Sequence, residues 1–229
     1  MVVGIMAREF TKNMFVMLFS IMIGAIIITY FVGDVIYRSN IETLAVQHTT
    51  EIESLEEMNI NFTSHFLSSS VLLDKSREDR AFGNYHFDLA FLWFKSALVE
   101  KNSSTLDIYK NRTIDNCTYA MENYLISHQN FKEAKIFFND TRGYTSYEKY
   151  LEVLDLYVNL TASGTRLTML RYNASQYLRY MAENLSLDMN ISALFELFNE
   201  TMALYDEELD IYEDYQDEID EYEFFEEIR

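Results

Sequence analysis

The residues with the most specific chemistry are asparagines in Asn-x-Ser/Thr triplets, the acceptor sequence for N-linked glycans. In this modification a sugar is attached to the side-chain amide, which must be exposed outside the cytoplasm. Ten of the fifteen asparagines after residue 33 lie in such triplets, whereas a Ser and Thr content of roughly one residue in seven gives about two by chance. We therefore predict glycosylation at Asn61, Asn102, Asn111, Asn116, Asn139, Asn159, Asn173, Asn184, Asn190 and Asn199.

The second chemical feature is an acidic C-terminal stretch. From Asp206 to Glu227, thirteen of twenty-two residues are Asp or Glu. Such a run is either a solvated helix face or a weak, diffuse site for hard cations such as Ca²⁺, which take six to eight oxygen ligands. No glycine follows Gly164, so the stretch lacks a calcium-binding loop. The carboxylates available for diffuse binding are those of Asp206, Glu207, Asp210, Glu213, Asp214, Asp217 and Glu218.

Signatures of catalysis are absent from the sequence. The four histidines, His48, His65, His86 and His128, are scattered, and none forms H-E-x-x-H or follows an acidic residue at a spacing of three. There is no G-x-S-x-G, glycine-rich phosphate loop or C-x-x-C. We expect no enzyme activity and no cofactor beyond glycans and Ca²⁺, and we expect His48 to lie where two helices meet.

These features depend on a membrane-spanning segment near the N terminus. Residues 14–32 contain no charged side chain, and about 20 apolar residues in a helix cross the roughly 30 Å hydrocarbon layer. A cleaved signal peptide is the alternative, but its apolar region is shorter and ends at a small-x-small site, and no Ala-x-Ala pattern follows here. Within the span, Ser20 and Gly24 form a small-xxx-small pair, at which another membrane helix can pack closely.

The charges beside the span predict its orientation. Arg8 and Lys12 precede it, whereas acidic residues dominate after it, and Lys and Arg are retained on the cytoplasmic side. We predict a cytoplasmic segment over residues 1–13, a transmembrane helix over 14–33, and an extracellular domain over 34–229 that ends in an acidic helix over 206–229. The protein is thus expected in the cell membrane, with the lipid bilayer as its first partner.

Charge and cysteine content limit the partners and the disulfides that the external domain can have. Residues 1–13 sum to about +1 and the span carries no charge, so the residues after the span hold about −20 of the net −19. This excludes nucleic acid as a partner, because few cations are present to replace phosphate counterions. The single cysteine, Cys117, excludes an internal disulfide and is either a buried thiol or a link to another chain. An N-glycosylated domain without disulfides or proline favours an archaeal cell surface.

The apolar spacing predicts an all-α fold, with one transmembrane helix that continues into an extracellular antiparallel bundle. We predict helices over about 8–73, 82–100, 104–127, 131–138 and 191–224, with turns at 74–80 and 140–143. A further helix starts at a capping box, Thr145 to Glu148. Two of its apolar stripes point in opposite directions, so it either breaks near Gly164 or packs against different neighbours along its length.

A short helical array is the alternative architecture. The spacing of Ala90, Phe94 and Ala97, and of Phe131 and Ala134, resembles the second helix of a tetratricopeptide-type repeat. The two occurrences are 44 residues apart, whereas that repeat requires 34. Close packing of helices at small residues produces the same pattern, and the bundle is our main prediction.

Three functions fit these predictions. The first is a structural or accessory subunit of a larger membrane or surface assembly, whose partners are other membrane proteins or further copies of this chain. The second is a four-helix sensor or ligand-binding module that acts through a partner, because thirteen inner residues form no output domain. The third is a pilin-like filament subunit, although the processing site of such subunits is missing from the sequence.

Overall fold

The computed structural model describes residues 2–186 and 191–222, with side chains from residue 22 onward except those of 26 and 27. Within these ranges the chain is all-helical and contains no strand. Four helices follow one another along the chain: α1 (Val2–Val99), α2 (Ser103–Thr141), α3 (Glu148–Asn184) and α4 (Ser192–Asp220), with a 3₁₀ turn (Arg142–Tyr144) between α2 and α3.

The first helix continues without a break through residues 74–80, so the predicted turn there is wrong. The polar side chains of this run take part in packing. The Arg77 Nε donates to the Tyr212 hydroxyl at 3.1 Å, and the Asn130 amide donates to the Asp79 carboxylate at 2.9 Å. Lys, Arg and Glu are good helix formers, and the run contains neither glycine nor proline. A helix can therefore form here, and its polar side chains bond to other helices.

The second helix is also longer than predicted, because the pieces 104–127 and 131–138 are one element, α2. Asn102 caps its start, where the side-chain oxygen accepts hydrogen bonds from the backbone amides of Ser104 and Thr105. The junction of the two predicted pieces is packed on one side, since Asn130 is 8% exposed and the buried Ser127 donates to the Ser76 carbonyl at 2.7 Å. The predicted turn at 140–143 coincides with the end of α2 and the 3₁₀ turn.

The third helix is continuous through Gly164, as the second of our two alternatives expects. It is buried on opposite sides because it packs against both α2 and α4. The predicted capping box is wrong. Tyr147, not Thr145, is the N-cap residue, and the Thr145 hydroxyl accepts from the Tyr147 amide at 3.2 Å as part of the preceding turn.

The fourth helix shows its buried positions at seven-residue intervals, in agreement with the periodicity of the sequence. Phe198, Tyr205, Tyr212 and Ile219 are all at most 5% exposed. Met202 and Leu209 lie between them and are partly buried. A seven-residue interval keeps side chains on one face of a helix, so α4 presents one apolar face to the other helices.

Buried side chains form two hydrophobic clusters. The first includes Ala90, Phe94 and Ala97 of α1, and the second includes Phe131 and Ala134 of α2. The five residues that resemble a tetratricopeptide repeat are thus distributed over both clusters, where small side chains lie between large ones. Trp93 stacks on the Tyr109 ring at 5.7 Å and lies under the Arg112 guanidinium at 4.4 Å.

The chain divides into two compact units, residues 1–57 and 58–229. The first unit is entirely the N-terminal part of α1, and helical backbone runs through the predicted span at 14–33. The described part of α1 contains one stretch that is long and apolar enough to cross a membrane by length and composition. None of that stretch is buried. The second unit contains the rest of α1 with α2, α3 and α4.

Candidate glycan acceptor sites and interaction surface

Nine of the ten predicted acceptor asparagines lie in the described residues, and none of the nine is buried. Six side chains are exposed and three are partly buried. Asn190 lies outside the described residues. The exposed group is Asn102, Asn111, Asn139, Asn159, Asn184 and Asn199, and the partly buried group is Asn61, Asn116 and Asn173.

Several of these asparagines also have local hydrogen bonds. The Asn116 amide nitrogen donates to the Arg112 carbonyl at 2.8 Å, and its oxygen lies 3.1 Å from the His86 Nδ1. The Asn184 amide donates to the Tyr180 carbonyl at 2.8 Å. The two bonds to a carbonyl four residues earlier are local and typical of asparagine on helices, whereas the contact with His86 joins α2 to α1.

An apolar stripe on the first unit is a candidate interaction surface. Every side chain from Val35 to Ile60 is exposed. At about 100° per residue, five of them lie on one face of α1, within about 40° of a common line. We call these residues the 41–55 stripe: Ile41, Leu44, His48, Ile52 and Leu55.

The exposure of this stripe is large for apolar side chains. The fractions are 47% for Ile41, 55% for Leu44, 56% for Ile52 and 59% for Leu55. His48 lies on the same face and is exposed, so within the described chain it does not meet a second helix. Carboxylates of Glu53 and Glu57 lie on the opposite face, which makes this part of α1 amphipathic.

The small pair predicted inside the span is only partly described. The structure describes the backbone at Ser20 but not its side chain. Gly24 is in open space, because a Cβ built there meets no atom within 4 Å. A close approach by another helix at Gly24 therefore stays a prediction.

The acidic helix face is solvated. The seven carboxylates predicted for diffuse cation binding are all exposed on α4, and the remainder of the acidic stretch after Tyr222 lies outside the described residues. Across 22–186 and 191–222, no three His, Cys, Asp or Glu side chains converge as metal ligands. Binding of Ca²⁺ stays a prediction, and the described carboxylates form no cage.

Glu208 differs from the other acidic residues of α4 because it forms specific contacts. Its carboxylate accepts two bonds of 2.8 Å from the Arg166 guanidinium and one of 2.6 Å from the Ser163 hydroxyl. Burial by itself raises the pKa of this carboxyl, but the bonds from Arg166 and Ser163 outweigh burial and leave the pKa below its usual 4.5. The pair joins α3 to α4.

We expect Glu208→Gln to destabilise the chain by about 1 kcal/mol or less at pH 7, because the Arg166 side chain is 54% exposed and water weakens the ion pair. A lowered folded-state pKa gives stability above pH 4.5 that is lost as the pH falls through the folded value. Chemical unfolding of the full chain in detergent at pH 7 and at lower pH measures this. The difference from the unsubstituted chain should shrink in acid.

Glu207→Gln is the matched control, since Glu207 is exposed on the same helix. Removing its charge relieves repulsion among neighbouring carboxylates and should leave stability unchanged or slightly higher. Equal losses for both variants at pH 7 would contradict a specific role for the Glu208 pair.

Cys117 is fully buried. Burial raises the pKa of its thiol to about 12, so almost no thiolate exists at neutral pH. Since the thiolate is the reactive form, the thiol is inert in the folded chain. This agrees with the first of the two alternatives considered above and not with a link to another chain.

Sequence reasoning missed two arginines that stack on aromatic rings in the interior of the second unit. The Arg171 guanidinium lies between the rings of Phe87, at 4.5 Å, and Tyr205, at 4.0 Å. Arg80 lies 4.4 Å above the Tyr212 ring. Such cation–π contacts join α1, α3 and α4 at about 0.5–2 kcal/mol each. The spacing of neither arginine distinguishes it from a surface charge.

Comparison with family models, with curated proteins and with solved structures found no match for this chain.

Proposed function

We propose that this chain is a single-pass, N-glycosylated cell-surface protein whose external antiparallel helical bundle is a structural subunit of a larger membrane assembly. The observation that carries the proposal is the 41–55 stripe. A solvent-exposed helix with an apolar face gains most of its stability from packing of that face against another element. Within the described residues, no other element covers the stripe.

A second copy of this chain is the partner we propose for the stripe. Two copies anchored by the same span stand parallel in one membrane, so identical residues meet in register. Ile41 and Ile52 are eleven residues apart, as are Leu44 and Leu55. An eleven-residue repeat keeps one face of nearly straight helices in contact over its whole length. The stripe therefore has a spacing that is compatible with parallel pairing of two copies.

The surface location is supported by the predicted acceptor sites and the flanking charges. The nine predicted acceptor asparagines in the described residues are exposed or partly buried and none is buried, so glycans attached there can extend into solvent. The basic residues before the span favour a cytoplasmic N terminus. An archaeal surface stays our preferred setting because the domain relies on its apolar clusters and has no disulfide or proline.

Oxidative cross-linking in membranes tests the pairing. Full-length chains carrying Cys117→Ala receive one new cysteine, either Leu55→Cys within the stripe or Glu57→Cys two residues later on the opposite face. We expect the first variant to form a disulfide-linked dimer and the second to form at least about tenfold less. Both positions are exposed, so unequal access of the oxidant does not explain a difference.

A second pair of substitutions tests the energetics. Leu44→Glu with Ile52→Glu places carboxylates in facing positions and removes apolar burial of about 1.5–3 kcal/mol per side chain. We expect at least a tenfold loss of the Leu55→Cys dimer. Equal cross-linking from both faces, or a Leu55→Cys product that contains a different protein, would contradict pairing of two copies.

A further inference from the structure

Six of the nine described acceptor triplets fall into two structural classes, which differ in the position of the hydroxyl residue. In a helix, residues two apart point about 200° away from each other. When the asparagine of a triplet points to solvent from a packed helix, its Ser or Thr can therefore point inward. Four triplets follow this rule, and their hydroxyl residues are 0% exposed: Thr113 after Asn111, Thr141 after Asn139, Thr161 after Asn159, and Ser175 after Asn173. We call them the interior triplets.

Hydrogen bonds hold the hydroxyls of the interior triplets in place. Each hydroxyl donates to the backbone carbonyl four residues earlier, at distances between 2.7 and 2.9 Å. Access to such a group requires that the turn of helix carrying it opens. In α3, which packs on two sides, this opening also disturbs the contacts with α2 and α4.

Two triplets at helix ends show the opposite arrangement. Asn102 precedes α2, and both Asn102 and Ser104 are exposed. Asn184 is the last residue of α3, the backbone becomes extended at Leu185, and Ser186 is exposed. We call these the terminal triplets. Their amide and hydroxyl groups are both reachable without loss of helix.

We propose that the interior triplets accept glycans only before the chain folds, whereas the terminal triplets stay acceptors in the folded protein. In the transfer, the asparagine nitrogen forms a bond to the anomeric carbon of an oligosaccharide linked to a lipid diphosphate. The lipid diphosphate leaves with the electron pair of the broken bond, and the amide proton passes to a base. Because the acceptor sequence requires Ser or Thr at the third position, the transferase must contact that hydroxyl.

The order of events follows from this division. The interior asparagines are exposed or partly buried, so a chain glycosylated there before folding can still form the same helices. The reverse order is blocked, since the folded unit hides the hydroxyl that the transferase needs. The inference rests on the proposed surface glycosylation and assigns its timing: the transferase must act on these sites as the chain emerges from the membrane.

In vitro glycosylation tests the timing. Full-length protein from a host without N-glycosylation is folded in detergent and treated with a purified oligosaccharyltransferase and a lipid-diphosphate-linked oligosaccharide. Synthetic peptides spanning each triplet are the unfolded references. Site-resolved mass spectrometry should find the terminal triplets modified in both forms. The interior triplets should be modified in the peptides and at least about tenfold less in the folded chain.

The outcomes separate this inference from the proposed function. Equal modification of interior triplets in folded chain and peptides would overturn it, and so would peptides that are never modified. If protein isolated from its native membrane carries unmodified asparagines, the proposed surface glycosylation is wrong. The in vitro comparison stays valid in that case. Asn139 offers an internal check, because Phe138→Ala, which loosens the end of α2, should raise modification at Asn139 without changing that at Asn102.

Discussion

Phe138→Ala is expected to destabilise the helical unit of residues 58–229 by about 3–5 kcal/mol, the range for truncation of a buried phenylalanine. The Phe138 ring is 0% exposed. It stacks on the Tyr157 ring at 4.6 Å and meets the Phe66 ring edge-on at 5.7 Å. Since it links α2 to α1 and α3, its loss leaves a cavity at a junction of three helices.

Chemical unfolding of the full-length chain in detergent, followed by its helical circular dichroism, measures this loss. Ile136→Ala is the matched control, because Ile136 lies on the same helix and is 58% exposed. A change of less than 1 kcal/mol is expected there. Equal effects of the two substitutions would show that Phe138 is not a core residue.

Gly164→Ala is expected to destabilise the same unit by about 1–3 kcal/mol, the usual effect of overpacking, although alanine in a helix is ordinarily about 1 kcal/mol better than glycine. A Cβ at Gly164 would lie 2.5–2.7 Å from three carbons of the Phe131 ring. That ring is fully buried and meets Tyr212 edge-on at 6.2 Å. It therefore has no free space to enter.

A double-mutant cycle isolates this contact. Phe131→Leu alone should also destabilise, but Gly164→Ala combined with Phe131→Leu should cost less than the sum of the two. Gly143→Ala is the control, because a Cβ there meets no atom within 4 Å. Additive losses, or a Gly164→Ala chain as stable as the unsubstituted one, would contradict the close approach of α2 and α3 at this point.

The sequence predicts best the helices whose buried positions recur regularly between polar residues. The fourth helix is the clearest case. Its apolar positions recur at Phe198, Tyr205 and Tyr212, and acidic residues make up much of its exposed surface. Periodicity identifies such a helix because only one face is buried. The all-helical class follows similarly from the absence of proline and of alternating patterns.

The breaks predicted inside α1 and α2 fail for a common physical reason. The polar run at 74–80 predicts a turn, although Arg77 and Asp79 have their partners, Tyr212 and Asn130, on other helices. Those partners are 135 and 51 residues away in the chain. Local composition contains no information about contacts at such separations, so solvated and paired polar side chains give the same sequence pattern.

The predicted acceptor triplets show a different limit of sequence-based prediction. The triplets identify which asparagines carry the required neighbours, but not which hydroxyls are accessible. Thr113 and Ser104 are equivalent in sequence terms, yet one is buried and the other is exposed. The distinction depends on where helices begin and end, and boundaries are the part of a sequence-based prediction with the largest error.

The position of α3 between two neighbours has a consequence for how the unit unfolds. Leu154, Leu160 and Leu167 belong to one hydrophobic cluster, whereas Leu178 and Met181 belong to the other. Opening either cluster removes packing from one part of a single unbroken helix. The two clusters are thus not independent cooperative blocks, because the backbone of α3 transmits the loss of one to the other. Residues 58–229 should melt in one step, and the weakest cluster sets the temperature at which that step begins.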